Sequence, residues 1–163
     1  MKIIGLISDT HSYFHPKIEK IFSECDEIWH AGDIGNFEIA EKLSAIKPLK
    51  AVYGNMDGYD IRSSYPEMQI FYCEKVKVAM IHIGGYPGRY TPKARQIIVR
   101  EKPQLFISGH SHILKVINDK KNNLLHMNPG AAGKTGIHKT ITMLRFKINE
   151  NRIEDLEVIE LKR

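Results

Sequence analysis

The chain has 163 residues, 42% of them hydrophobic, and its 24 Lys and Arg against 19 Asp and Glu give a formal net charge of +5. That length fits one domain, residues 1–163, which at this size buries roughly 70% of the surface its unfolded chain exposes and needs no cross-links to hold it. With only Cys25 and Cys73, and no apolar stretch near the roughly 18 residues of a membrane span, the composition excludes a disulfide scaffold and a spanning segment.

Apolar runs at residues 2 to 7, 27 to 30 and 49 to 53 predict strands, each followed by a short polar loop. Between them, helices are predicted near 14 to 25 and near 37 to 46. The first carries the face Ile18, Ile21, Phe22 and Cys25, which makes Cys25 a reduced core thiol. The second buries either Phe37, Ala40, Leu43 and Ser44 or Ile39, Leu43 and Ile46. Residues 69 to 73 and 76 to 82 predict a hairpin around Glu74-Lys75. Thr91-Pro92 starts a helix, with Thr as cap and Pro in the first turn, and Ala94, Ile97 and Ile98 give it an apolar face. The pattern then changes to consecutive strands at 105 to 108, 113 to 118, 124 to 127, 138 to 148 and 152 to 161. Helix-linked strands first and hairpins later predict an α/β chain with two packed sheets and helices outside.

Five predicted strands run into residues that ligate metals: Asp9-Thr10-His11, Gly32-Asp33, Gly54-Asn55, His82, and Gly109-His110-Ser111-His112. Taken alone, Asp-x-His, Gly-Asp and Gly-Asn read better as turn or cap residues and His82 as a satisfied histidine, while Gly-His-x-His is moderately specific. Their recurrence at five strand ends does not read that way, because in an open α/β sheet ligands gather where the strands end. Asp9, His11, Asp33, Asn55, His82, His110 and His112 then converge as a mixed nitrogen and oxygen set. Such a set suits Mn²⁺, Zn²⁺, Fe or Ni²⁺ and suits a thiolate cluster poorly. Seven ligands exceed one tetrahedral ion, and with one shared carboxylate they serve two ions roughly 3.5–4 Å apart.

In this order, Asp-x-His, Gly-Asp, Gly-Asn, His, Gly-His-x-His, the chain resembles the calcineurin-like metallophosphoesterase superfamily. Its short length and the segment Asn128-Pro129-Gly130 resemble the small single-domain phosphodiesterase branch of bacteria and archaea. The resemblance implies an α/β/β/α sandwich with two mixed sheets flanked by helices. It assigns Asp9, His11, Asp33 and His112 to a first metal, and Asp33 as bridge with Asn55, His82 and His110 to a second. The ions expected are two divalent transition metals, manganese first, with nickel, zinc, iron or cobalt as alternatives. Asp33, Asn55 and His82 are the implied catalytic positions.

Where many members of that superfamily carry a histidine after Gly-Asn, this chain has Met56, which has no proton to give a leaving group. The expected activity is hydrolysis of a small phosphodiester by a hydroxide shared between the ions, easiest for good leaving groups. Arg89 and Tyr86, in the glycine-rich loop after His82, are candidates to clamp a phosphate and stack an aromatic group. Asp57 is a candidate to orient a metal-bound histidine. Some relatives of this fold, including a retromer coat subunit, are protein-binding scaffolds, which makes a catalytically weak scaffold the rival reading; a phosphomonoesterase or a nuclease is another. The lysines are dispersed, so stable nucleic-acid binding is not expected, a homo-oligomer stays open, and the short apolar start from Ile3 to Ile7 suggests a cytoplasmic location without membrane attachment.

Overall fold

The computed structural model describes residues 1–163. Strand β1 (Lys2–Ile7) is its pivot, because successive side chains of a strand point to opposite faces. Ile4 and Leu6 enter the core between two sheets, while Ile7 packs on the other side under helices. Gly5 belongs to that helix side. A methyl group there would lie 2.6 Å from the Phe22 ring, so the missing side chain lets helix α1 (Ile18–Phe22) seat against the strand.

In the first sheet, β1 pairs in parallel with β2 (Glu27–His30), which pairs in parallel with β3 (Leu49–Ala51). On its other edge β1 runs antiparallel to β9 (Thr140–Asn149), itself paired with β10 (Arg152–Lys162). The second sheet has the order β4 (Met68–Cys73), β5 (Val76–Ile81), β6 (Leu105–Ile107), β8 (Leu124–Pro129), β7 (Leu114–Asp119). Here β5, β6 and β8 are parallel neighbours and both edge strands are antiparallel. Trp29, Phe146, Met80 and Ile107 are among the side chains that fill the space between the sheets.

Helices α1, α2 (Phe37–Ile46) and α3 (Tyr59–Ser64) bury Phe22, Leu43 and Ile61 in the outer core of the first sheet. Helix α4 (Pro92–Glu101) covers the second sheet through Ala94, Ile97 and Ile98 against Ala79 and Phe106. Its start is fixed as the sequence predicts: the Thr91 hydroxyl accepts from the Ala94 N–H at 3.2 Å. The result is the expected α/β/β/α sandwich of two mixed five-stranded sheets.

Three details differ from the sequence reading. Helix α1 is five residues long instead of spanning 14 to 25, because Pro16 disfavours a helical His15 and Ser12 already turns through a positive φ. Cys25 is buried just beyond that helix, and both cysteines are free, with burial pushing each thiol up to about 11. Helix α3 was not expected: Ile61 is its one buried side chain, so it has no periodic apolar stripe to read. The face of α2 that is buried combines the two alternatives, as Ile39, Ala40 and Leu43.

Candidate metal centre

The five loops after β1, β2, β3, β5 and β6 meet at one end of the two sheets and bring the seven predicted side chains together. Asp9, His11, Asp33, His110 and His112 all have φ between 43° and 70°. For residues with a Cβ this left-handed backbone is uncommon and costs about 1–3 kcal/mol each, and such strain concentrates at functional sites. Backbone bonds hold the loops in it: Asp9 N–H donates to Gly32, His11 N–H to Asp33, and Gly109 N–H to His82, at 2.9–3.1 Å. The glycines of the Gly-Asp and Gly-Asn pairs make room. A side chain on Gly32 would strike the His82 ring at 2.6 Å, and one on Gly54 would strike Asp33.

Each aspartate has one oxygen tied down and one presented. Asp9 Oδ2 accepts from the Ser8 hydroxyl at 2.6 Å and from His110 N–H at 3.0 Å, and Asp33 Oδ1 accepts from Met56 N–H at 2.8 Å. The other oxygens face imidazoles. Asp9 Oδ1 lies 3.2 Å from His112 Nε2 and 3.7 Å from His11 Nε2; Asp33 Oδ2 lies 3.2 Å from His82 Nε2 and 3.6 Å from His11 Nε2. The ligand atoms of Asp9, His11 and His112 fall within 4.8 Å of one another, and so do those of Asp33, His82 and His110. Asn55 joins the second group through its Oδ1, 3.1 Å from His110 Nδ1.

These atoms fit cations. Asp9 Oδ1 and His82 Nε2 are buried and have no hydrogen-bond partner, an arrangement that costs about 1–3 kcal/mol or more for each group unless something satisfies it. His82 Nδ1 sits 2.7 Å from the Ala31 carbonyl and so carries a proton, which leaves Nε2, facing Asp33, as the ring atom that takes either a cation or a second proton. Without a cation the charges compensate each other. Burial opposes ionisation of Asp9, yet His11, His112, His82 and Ser8 outweigh it and hold the carboxyl well below its usual range. Burial likewise works against charging His82, but Asp33 and Asp9 prevail and raise it; His11 is raised mainly by its contact with Asp9.

Around this cluster lies a layer of polar contacts that sequence reasoning assigned differently or missed. Asp57 hydrogen-bonds to no histidine. Its carboxylate accepts from Gly35 N–H and Gly54 N–H, both at 2.8 Å, and so ties the Asp33 loop to the Asn55 loop. Arg62 of α3 was not anticipated, and no motif announces it. Its guanidinium donates to the carbonyls of Asp57, Gly54 and Asn55 and lies 4.5 Å over the Tyr53 ring. His30 is fully buried: it accepts from Gly32 N–H at Nδ1 and meets the Thr10 hydroxyl at Nε2, and burial pushes it down to about 3, so the ring is neutral. Asn128 Nδ2 donates to the Gly109 carbonyl at 2.9 Å and steadies the His110 loop. The Tyr86 ring packs under the Lys115 ammonium at 3.6 Å, and the Arg89 side chain is exposed; neither side chain hydrogen-bonds to the seven-residue cluster.

Comparison with known proteins agrees with this architecture. Residues 1–151 match the model of the calcineurin-like phosphoesterase superfamily domain. A probable metallophosphoesterase of Methanothermobacter thermautotrophicus is 31% identical over 137 residues, covering 79% of this chain and 76% of the relative. Among solved structures, an archaeal phosphodiesterase superposes with a TM-score of 0.76 at 21% identity, over 98% of this chain and 99% of that one. Vps29 of Chaetomium thermophilum superposes with a TM-score of 0.79 at 17% identity, over 99% and 97%. At those identities the two structures establish the fold, whereas the family match covers the loops that carry all seven clustered residues. The chain belongs to the calcineurin-like phosphoesterase superfamily.

Proposed function

We propose that the protein is a metal-dependent phosphodiesterase acting on a small substrate. The observation that carries this reading is the pair of buried, unpartnered atoms Asp9 Oδ1 and His82 Nε2 at the centre of a complete set of seven ligand side chains. Asp9, His11 and His112 would hold one divalent cation, His82, His110 and Asn55 a second, and Asp33 Oδ2, near both His11 and His82, would serve both. Two such ions, manganese first among the candidates, supply Lewis acidity to a water molecule and to a phosphoryl oxygen.

The chain's own residues do the rest. Met56 N–H and the Ser8 hydroxyl fix the carboxylates so that one oxygen of each stays available. Asn55, with Oδ1 turned to His110, offers its amide N–H to charge developing on phosphorus-bound oxygen. No protein nucleophile is needed, and the hydroxyls on either side of Asp9 are occupied: Ser8 donates to Asp9, and Thr10 donates to the Ile34 carbonyl at 2.8 Å. Met56 brings no acid to the leaving oxygen, and a diester carries one negative charge fewer than a monoester. Both points favour diesters with good leaving groups. Protein purified without chelator, assayed for metal content and for hydrolysis of bis(p-nitrophenyl) phosphate, tests the reading: turnover abolished by chelation and restored by Mn²⁺ is expected.

A second reading has an observation of its own. Met56, Ile83, Ile113 and Ile137 are exposed, and three of them directly follow Asn55, His82 and His112. An apolar rim of this kind also suits a protein-binding scaffold, in keeping with the fold shared with Vps29. The intact ligand set favours the enzyme; failure to hydrolyse any ester with any metal would favour the scaffold.

A further inference from the structure

Beside the cluster runs a groove of about 500 Å³, whose lining includes His82 and Asn55, and this volume is within the roughly 300–1,000 Å³ of small-molecule sites. Tyr53 and Arg62 contribute to it from the segment after β3, and Ile83 and Pro92 from the segment after β5. Ile83 is 40% exposed, an apolar side chain left open to water next to a candidate metal ligand. Lys93 and Glu67, also in the lining, neutralise each other at 2.5 Å.

Arg62 is the distinctive member. All three of its hydrogen bonds go to backbone carbonyls, so no carboxylate cancels its charge, and its flat guanidinium is held against the face of Tyr53. A planar cation on an aromatic ring, beside apolar Ile83 and Pro92, complements a flat π-electron system better than a sugar or a short alkyl chain. Since the groove shares His82 and Asn55 with the cluster, a phosphodiester whose phosphorus is held there can extend one of its two ester arms into it.

We propose that this groove binds one ester arm of the substrate and selects a planar aromatic arm. The inference rests on the phosphodiesterase reading and names the substrate class for the same site. It makes Arg62, Tyr53 and Ile83 specificity-determining residues, a role that nothing in the ligand motifs assigns.

The test uses the metal-loaded protein and three p-nitrophenyl phosphodiesters that differ only in the second arm: methyl, cyclohexyl or phenyl. Each kcat/KM is divided by the rate of the same ester with the metal ion in protein-free solution, which removes intrinsic reactivity. The phenyl arm is expected to exceed cyclohexyl by roughly 3- to 30-fold, the scale of one stacking or cation–π contact. Arg62→Gln and Ile83→Ser should bring that ratio toward one. Calorimetry with benzyl(methyl)phosphinate and (cyclohexylmethyl)(methyl)phosphinate, whose two arms are both joined to phosphorus through carbon so that no ester bond is left to cleave, should give the same preference as a ratio of Kd values. Equal treatment of phenyl and cyclohexyl arms, or a ratio unmoved by both substitutions, overturns the inference. If no ester is hydrolysed but the phosphinates retain the preference and lose it in the variants, the groove assignment stands and the phosphodiesterase reading falls.

Discussion

His82 Nε2 lies 3.2 Å from Asp33 Oδ2 while His82 Nδ1 is committed to the Ala31 carbonyl. In the metal-free protein a proton on Nε2 is the only group that can make this contact attractive. Asp33 and Asp9 accordingly outweigh burial and raise the pKa of His82 above its ordinary value. A cation must displace that proton, so binding and protonation compete.

A raised histidine pKa means that the His82–Asp33 ion pair contributes stability below the ordinary histidine pKa, near 6.5, and that this contribution is lost as pH rises through the raised value. Over the same window metal affinity should climb, by about tenfold per pH unit for each proton displaced. Titration of Mn²⁺ or Zn²⁺ at pH 6, 7 and 8, in buffers of different ionisation enthalpy, measures both the affinity and the protons released. Affinity independent of pH with no proton release would contradict the assignment.

Asp33 presents one oxygen to both His11 and His82. Asp33→Asn should therefore lower the bound metal toward one ion or fewer and reduce turnover more than His11→Ala, which removes a ligand of a single ion. Metal analysis and kcat on the two purified variants check this. Two ions and a near wild-type rate in Asp33→Asn would remove the bridge from the account.

Met56 is 69% exposed, and only its backbone N–H supports Asp33, so its side chain can be exchanged without disturbing the carboxylate. Met56→His should accelerate esters with alkyl leaving groups by up to roughly 10²- to 10⁴-fold and leave nitrophenyl esters nearly unchanged. A series of leaving groups measured on both proteins gives the answer. A wild-type rate insensitive to leaving-group pKa would mean that another residue already delivers the proton.

A fourth prediction concerns stability. His126 on β8 is fully buried against Phe106 and Tyr90, with neither ring nitrogen hydrogen-bonded, and burial pushes it down to about 4. Its contribution to folding is intact above the unfolded pKa near 6.5 and is lost as pH falls toward 4, by up to about 3 kcal/mol. His126→Phe should flatten the stability profile across that window. It should also add about 1–3 kcal/mol at pH 7 by removing the unpaired polar atoms. Urea denaturation of both proteins at pH 7, 5.5 and 4.5 compares the slopes; parallel profiles would contradict this.

The sandwich and the seven clustered residues were legible because both leave local or ordered traces: short apolar runs that become nearly continuously buried strands, and ligand residues shortly after the end of each. Strand order was not, since the long-range pairings β1 with β9 and β6 with β8 depend on registers that no local pattern encodes. Helix α3 buries only Ile61, so Arg62, which it positions, was equally hidden. Asp57 is a candidate from sequence because it is a carboxylate closely following Asn55, but its partners are the backbone N–H groups of Gly35 and Gly54, and such partners carry no residue-type signal. Tyr86 and Arg89 lie in the glycine-rich loop after His82, which makes them candidates from sequence. Proximity in sequence did not decide their surroundings, since Tyr86 faces Lys115 across the second sheet's edge strand.

The proposed centre is a pair of cations held by the seven side chains, with Asp33 between them. Anomalous diffraction from a crystal of the protein loaded with Mn²⁺ tests it most directly. Two peaks roughly 3.5–4 Å apart are expected, one among Asp9, His11 and His112, the other among Asn55, His82 and His110, both in contact with Asp33. A single peak, peaks away from these residues, or none at saturating Mn²⁺ would contradict it.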